Sequence, residues 1–269
     1  MTRDVNAIQA SGNLSQRVTE SGPADEVGRL GEAFNHMLDT VEAGFRSQQR
    51  FVSDASHELR TPLTVARGRL ELLAHDLDGA RTREQLTAAV DELDRMGRIV
   101  EDLLLLARLD EGLPLAHEPV EVELVLEEAL LRGTLVARRQ MRTEVDRELY
   151  VRADPDRLLQ VVTNLVTNAV EHAGNDASIL LAARRVADRG VIEVSDTGPG
   201  IPDVDLPHVF ERFYRGVKRD SGDRVSGTGL GLAIAASLTR AMNGEISVRS
   251  MPASGTTFVV SMPLAAPSA

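Results

Sequence analysis

The sequence predicts a multidomain protein in which an all-α helical hairpin, completed to a four-helix bundle when two copies pair, is followed by an α+β sandwich. Three observations carry this. Apolar residues recur at spacings of three and four through long stretches before residue 112. After Pro114 the texture changes to short strand-like runs alternating with amphipathic helices. The 269 residues, 42% hydrophobic but only 3% aromatic, supply Leu, Val, Ile and Ala for one packed domain plus a smaller helical part.

The opening residues are polar, and Ser11-Gly12-Asn13-Leu14 and Ser21-Gly22-Pro23 punctuate a connector before a helical pattern begins near Asp25-Glu26. Val27, Leu30, Phe34, Leu38, Val41 and Phe45 then mark an amphipathic helix. Leu59, Leu63, Ala66, Leu70, Leu73 and Leu77 alternate spacings of four and three, the seam of a coiled coil or bundle. The polar stretch 76–83 breaks the pattern. It resumes at Leu86, Val90, Leu93, Val100, Leu104 and Ala107, with Gly97 at the seam position lacking a side chain, and ends at Asp110-Glu111-Gly112. Two helices alone cannot enclose a core, so a homodimer is expected.

Beyond Pro114 a helix is expected around 120–138, a short strand near Tyr150-Val151, and a helix opening at Asp154-Pro155, where Asp caps and Pro fits the first turn. Strands are expected at 178–183 and 191–195, a helix at 230–242, and strands at 245–249 and 256–261. The pattern is that of helices on one face of a mainly antiparallel sheet.

Composition excludes several function classes. A formal net charge of -11 opposes nucleic-acid binding, which needs a basic surface to displace counterions. With no cysteine there is no disulfide, thiolate metal site or cysteine nucleophile. No run of about 18 apolar residues occurs and the N-terminus lacks a signal-peptide layout, so the chain reads as cytoplasmic. His36, His75, His117, His172 and His208 have no metal-ligand spacing and read as structural or surface positions, with His172 also a candidate neighbour of a nucleotide.

Five segments carry chemistry. In FVSDASHELRTPL (51–63), His57 and Thr61 are one turn apart on the face opposite Leu59 and Leu63, with Glu58 beside them. Pro62 is expected to bend or loosen the helix there. A neutral imidazole is a competent nucleophile toward phosphorus, and an adjacent carboxylate orients it or takes its proton. The bland alternative is a solvated helix position. In LLQVVTNLVTNAVEHA (158–173), Asn164 and Asn168 share one face while Leu158, Val161, Val162, Leu165 and Val166 form the buried one. Paired carboxamides can coordinate a hard cation through oxygen and donate to phosphate, or simply cap loops.

In SDTGPGIP (195–202), Asp196 at a strand end suits an exocyclic amine, and Gly198 and Gly200 permit close approach to a flat ring; a tight turn is the plain reading. SGTGLGLAI (226–234) places Gly227, Gly229 and Gly231, with Thr228 and Leu230 between them, before a helix whose amides would face an anion. VFERFYRG (209–216) and the polar stretch to Ser226 compose a lid in which Arg215 can reach a terminal phosphate.

Taken in order, HELRTPL, NLVTNAVEH, SDTGPGIP, VFERFYRG and GTGLGL resemble the motif series of bacterial sensor histidine kinases. The fold implied is a dimerisation and phosphoacceptor hairpin followed by a gyrase/chaperone/kinase-type (Bergerat-type) ATP-binding domain. The resemblance implies that His57 is the phosphoacceptor, Glu58 its acid-base partner and Thr61 the residue positioning water for dephosphorylation of a partner. It further implies that Asn168 is the main Mg ligand, with Asn164 on the same site, and that Asp196 reads adenine. Gly198, Gly200, Gly227, Gly229 and Gly231, with Thr228 and Leu230, form the nucleotide loops, and Arg215 meets the γ-phosphate. Glu171 departs from the family, which often carries a basic residue there.

Residues 11–45 resemble the connector and second helix of a HAMP signal-relay module, without its first helix or a preceding transmembrane segment. The expected organisation is 1–46 partial HAMP-like segment, 47–112 dimerisation and phosphotransfer hairpin, and 113–269 ATP-binding domain. The cofactors implied are ATP and Mg. The partners are a second copy and the receiver domain of a separate response regulator, with the membrane reached only through a segment absent from this chain. The full-length form is expected to be membrane-associated, and this chain its cytoplasmic portion. Phosphatase activity toward the regulator stays open as a second function. A chaperone- or topoisomerase-type ATPase would need a water-activating carboxylate where Asn164 stands, an anti-sigma serine kinase would lack the hairpin, and a non-enzymatic scaffold would not need intact nucleotide motifs.

Overall fold

The computed structural model describes residues 26–73, 79–136, 140–216 and 228–267. The expected connector and the lid stretch 217–226 therefore lie outside the described residues, as does Gly227. The chain divides into two compact units, Met1–Thr61 and Pro62–Ala269.

Helix α1 (Glu26–Leu73) carries the first apolar run and the second as far as Leu73 in one continuous helix, with Pro62 inside it; Leu77 lies outside the described residues. The loosening expected at Pro62 does not end the helix. Proline costs one backbone hydrogen bond and crowds the preceding turn, but many turns flank it on both sides. Helix α2 (Gly79–Asp110) begins inside the stretch expected to break the pattern. Its first turns are polar yet include Arg and Glu, which are good helix formers, so polarity there does not by itself break a helix.

Helix α2 presents two apolar stripes. Ala89, Ile99 and Leu106 are buried, whereas the run read as a seam, Leu86, Val90, Leu93, Val100 and Leu104, is 43–54% exposed in the single chain. Leu63 and Leu70 of α1 are likewise exposed. A contiguous row of this kind is uncommon on a monomer surface.

The remainder of the second unit is the α+β sandwich. Its elements are β1 (Glu118–Glu121), α3 (Val122–Val136), β2 (Met141–Val145), β3 (Tyr150–Ala153), α4 (Pro155–His172), β4 (Ile179–Val186), β5 (Arg189–Asp196), α5 (Gly231–Ala241), β6 (Glu245–Met251) and β7 (Gly255–Pro263). The five-stranded sheet runs β2-β4-β5-β7-β6; β2 pairs parallel with β4 and the other pairs are antiparallel. Strand β1 pairs antiparallel with β3, Val120 opposite Val151, in a separate ribbon. Neither β1 nor β2 stands out in the sequence. Both are short, and β2 is an edge strand whose middle residues are exposed, so it has no alternating apolar signal.

Alternation builds the core. Ile179, Leu181 and Ala183 of β4, Ile192 and Val194 of β5, and Phe258, Val260 and Met262 of β7 are buried on one face, against the helical layer. Each such side chain stabilises the fold by roughly 1.5–3 kcal/mol relative to exposure. On the opposite face Glu193 accepts from Arg184 at 2.6 Å and Arg249 at 2.7 Å. Helix α4 starts as expected: Asp154 Oδ1 accepts from the Arg157 amide at 3.1 Å and Pro155 occupies the first turn. Its buried residues include Leu158, Val161, Val162, Leu165 and Val166, which turns Asn164 and Asn168 to the other side.

Candidate functional site

That polar side of α4 forms one wall of a cavity of about 630 Å³, large enough for a nucleotide-sized ligand. The cavity brings together Asn164, Asn168, His172, Asp196, Gly200, Arg215, Thr228, Gly229 and Gly231 from segments distant in sequence. Gly198 and Leu230 do not line it but support it. Asp196 Oδ1 accepts from the Gly198 amide at 2.8 Å, and the Leu230 amide donates to Thr228 Oγ1 at 3.2 Å just before α5.

The middle of α4 is tied to the start of α5 at one end of the cavity. Asn164 Nδ2 donates to the Gly231 carbonyl at 3.0 Å, holding α4 against the start of α5. The residue preceding α5, Leu230, supplies no side-chain cap, so the first amides of α5 are left for another acceptor. At the other end Asp196 closes β5 between β4 and β7, and burial pushes its carboxyl above the ordinary value, against the backbone donors Gly198 and Thr256 that pull it down.

Glycine is required by the backbone at two of the loop positions. Gly200 has φ +72°, and a Cβ there would lie 2.2 Å from the Met251 carbonyl oxygen. Gly229 has φ +70°, and a Cβ would meet the Phe213 backbone at 2.8 Å, where the Phe213 amide already donates to the Gly229 carbonyl at 2.9 Å. The second contact fastens the 209–216 segment to the loop before α5. A further tie is the Tyr214 hydroxyl, which donates to buried Asp205 at 2.6 Å.

The cavity also holds residues that sequence reasoning missed. Arg95, Arg98, Glu101 and Asp102 of α2 line it, as do Thr163 and Thr167 of α4 and Asp205 and Tyr214; Glu171, marked in the sequence only as a departure from the family, lines it too. Burial and the neighbouring Glu101 push the Asp102 carboxyl up to about 6, with Arg98 opposing. Burial likewise raises Glu171, against His172 and Arg98. Spacings of four and three from Asn164 through Asn168 to Glu171 put Glu171 on the same face, a signal present in the sequence. The α2 residues carry no such local signal.

His57, Glu58 and Thr61 lie on α1 in the first unit, apart from the cavity-lining set, all of which belongs to the second. Glu58 is partly buried and Thr61 exposed; the side chain of His57 lies outside the described residues.

The donor set suits a nucleotide with a hard cation. Among the described residues no group of three or more His, Asp or Glu forms a self-sufficient metal site. Magnesium characteristically takes few protein ligands and completes its shell with phosphate oxygens and water, which two carboxamides would permit. Thr163 Oγ1, buried at the cavity without a hydrogen-bond partner, leaves a further polar atom for ligand or water.

Comparison with known proteins agrees with this arrangement in order along the chain. Residues 1–43 match the HAMP domain, 47–112 the His Kinase A (phospho-acceptor) domain, and 153–266 the family described as histidine kinase-, DNA gyrase B- and HSP90-like ATPase. The chain belongs to the two-component sensor histidine kinases. It is 40% identical over 263 residues to the probable sensor histidine kinase TcrY of Mycobacterium tuberculosis, covering 93% of this chain and 55% of TcrY. It is 35% identical over 263 residues to the signal transduction histidine-protein kinase BaeS of Escherichia coli, covering 95% of this chain and 55% of BaeS. This sensor-kinase chain therefore spans about half the length of those curated relatives. Among solved structures, full-length ShkA in complex with AMPPNP matches with a TM-score of 0.62 and 29% identity, over 82% of this chain and 47% of ShkA. Among the described residues of this family member no helix is long and apolar enough to cross a membrane.

Proposed function

We propose that this chain is an ATP-dependent protein histidine autokinase: it phosphorylates His57 and passes the phosphoryl group to an aspartate of a separate response regulator. The observation that carries the proposal is the cavity in which Asn164, Asn168, Asp196 and the glycine loops converge, in a chain whose α1 bears His57 beside Glu58. The AMPPNP complex of ShkA supports a nucleotide as the occupant.

In this reading Asp196 accepts from the exocyclic amine of adenine and His172 stands at the nucleotide. Asn168, with Asn164 one turn before it, would hold Mg through carboxamide oxygen. Bound Mg supplies charge neutralisation and alignment of the phosphates. Thr228, Gly229 and Gly231 would present backbone donors at the start of α5, with Leu230 bracing the loop and Gly227 expected to complete it, and Arg215 would reach the γ-phosphate. Gly198 and Gly200 shape the ring-binding loop.

The chemistry at His57 balances simply. An imidazole nitrogen forms a bond to the γ-phosphorus while the bond from phosphorus to the β–γ bridging oxygen breaks, and ADP leaves. Glu58 orients the ring and takes its proton. The phosphohistidine then gives its phosphoryl group to the regulator's aspartate. Thr61 would position water for dephosphorylation of that regulator, a second function. Swinging of the nucleotide portion about Gly112, whose φ is +80°, and Pro114 would bring the phosphate to the histidine.

The exposed seam of α1 and α2 supports pairing with a second copy into a four-helix bundle. The organisation 1–46, 47–112 and 113–269 is kept as the working division, and the HAMP match supports a membrane-associated full-length form. The test is incubation with Mg and γ-labelled ATP. Acid-labile, alkali-stable label is expected in the wild type and its loss in His57→Gln; nucleotide binding with no label would remove the autokinase reading.

A further inference from the structure

Among the described residues that line the cavity, those of the sandwich carry more carboxylates than guanidiniums. The face of α4 that bears Asn164 and Asn168 ends at Glu171, a carboxylate one turn beyond the proposed Mg ligand. Asp196 and Asp205 add two more carboxylates, whereas Arg215 is the guanidinium that the described sandwich residues contribute to the lining. The remaining guanidiniums come from α2.

These two are not equivalent. Arg95 is committed to Glu92, one turn before it, at 3.1 Å. Arg98 has no hydrogen-bond or ion-pair partner among the described residues, yet it lines the cavity and acts electrostatically on both Glu171 and Asp102. Its helix is fixed there, because the next residue, Ile99, and Leu106 two turns further are fully buried. A guanidinium carried on a packed helix in the wall of a polar cavity is a group suited by its planar fork and weak hydration to take a phosphate in a bidentate way.

We propose that Arg98 is a phosphate-contacting residue of the nucleotide site, by which α2 supplies the cationic charge that α4 lacks at Glu171. This rests on the reading of the cavity as an ATP site. It makes the nucleotide bind best while the sandwich is docked on α2, and it makes release of that contact part of any swing toward His57.

The test measures Mg-ATP and adenosine affinity by calorimetry for the whole chain, for Arg98→Ala and Arg98→Lys, and for Arg98→Ala in a Glu171→Gln background. Thermal melting confirms that each variant is folded. Arg98→Ala is expected to weaken Mg-ATP about tenfold, the scale of one charge-assisted hydrogen-bonding contact, and to leave adenosine unchanged. Arg98→Lys keeps the charge without the fork and falls between. The loss is expected to persist with Glu171→Gln; if that substitution restores wild-type affinity, Arg98 only neutralises Glu171 and the proposal fails. Equal ATP affinity of wild type and Arg98→Ala would also overturn it, whereas a wild type that binds no ATP would instead sink the reading of the cavity.

Discussion

Asp102 offers a direct test of how firmly α2 is seated on the cavity. Its carboxyl is pushed from 3.8 up to about 6, first by burial and then by Glu101, with Arg98 opposing. A folded-state value above the unfolded one means that the folded protein holds the proton more tightly. The stabilisation is therefore complete below about pH 4 and is lost as pH rises through about 6, beyond which the ionised carboxylate is a fixed cost. Unscreened, the shift corresponds to about 3 kcal/mol. Solvent reaches this half-buried group, which reduces the expectation to about 1–2 kcal/mol.

Asp102→Asn removes the titration and keeps the shape. Above about pH 7 it should raise the stability of the nucleotide-free protein by that 1–2 kcal/mol, and near pH 4.5 the gain should shrink toward zero. Urea unfolding at fixed protein concentration across that range measures both ends, fixed concentration being necessary for a chain expected to pair. A gain that is the same at both ends, or larger at the acid end, would refute the argument that burial against the cavity is what raises this group.

Three further outcomes follow from named contacts. Glu193→Ala removes two charge-assisted bonds, but Arg184 and Arg249 are 54% and 68% exposed in their side chains and can turn to water; thermal melting should report a loss of about 1–2 kcal/mol, less than for a deeply buried pair. Gly200→Ala forces a Cβ toward the Met251 carbonyl at a positive φ, so a loss of about 1–3 kcal/mol together with weaker ATP binding is expected from melting and calorimetry. Leu93→Glu combined with Leu104→Glu places charge on two seam positions that are exposed in the single chain, and sedimentation should find monomer where the wild type is expected to pair, with the sandwich still folded.

The parts of the fold legible in the sequence are those whose signal is local. Helix α4 announces itself by a cap, a first-turn proline and an apolar stripe, and all three appear in the structure. The same stripe dictates that Asn164 and Asn168 point together into the cavity. Strands β4, β5, β6 and β7 alternate strongly enough to be placed within a few residues. Strands β1 and β2 do not, because a short edge strand owes its existence to its partner rather than to its own residues. The Tyr214–Asp205 bond and the tie between Phe213 and Gly229 are equally silent, since each joins a loop to another loop through positions set by the rest of the fold.

Helix α2 shows why part of a site escapes such reading. Its heptad run, Leu86 to Leu104, is strong and points to a partner copy, so the helix looks fully explained by one stripe. The second stripe is anchored by Ile99 and Leu106, but Arg95, Arg98 and Asp102 stand at the neighbouring positions, where a core-facing stripe would be apolar. A polar cavity is walled by polar residues, so the face that covers it reads as solvent. Periodicity finds surfaces that are buried because they are apolar. It is blind to a face drawn toward a cavity by two flanking side chains, and that is the face on which Arg98 and Asp102 sit.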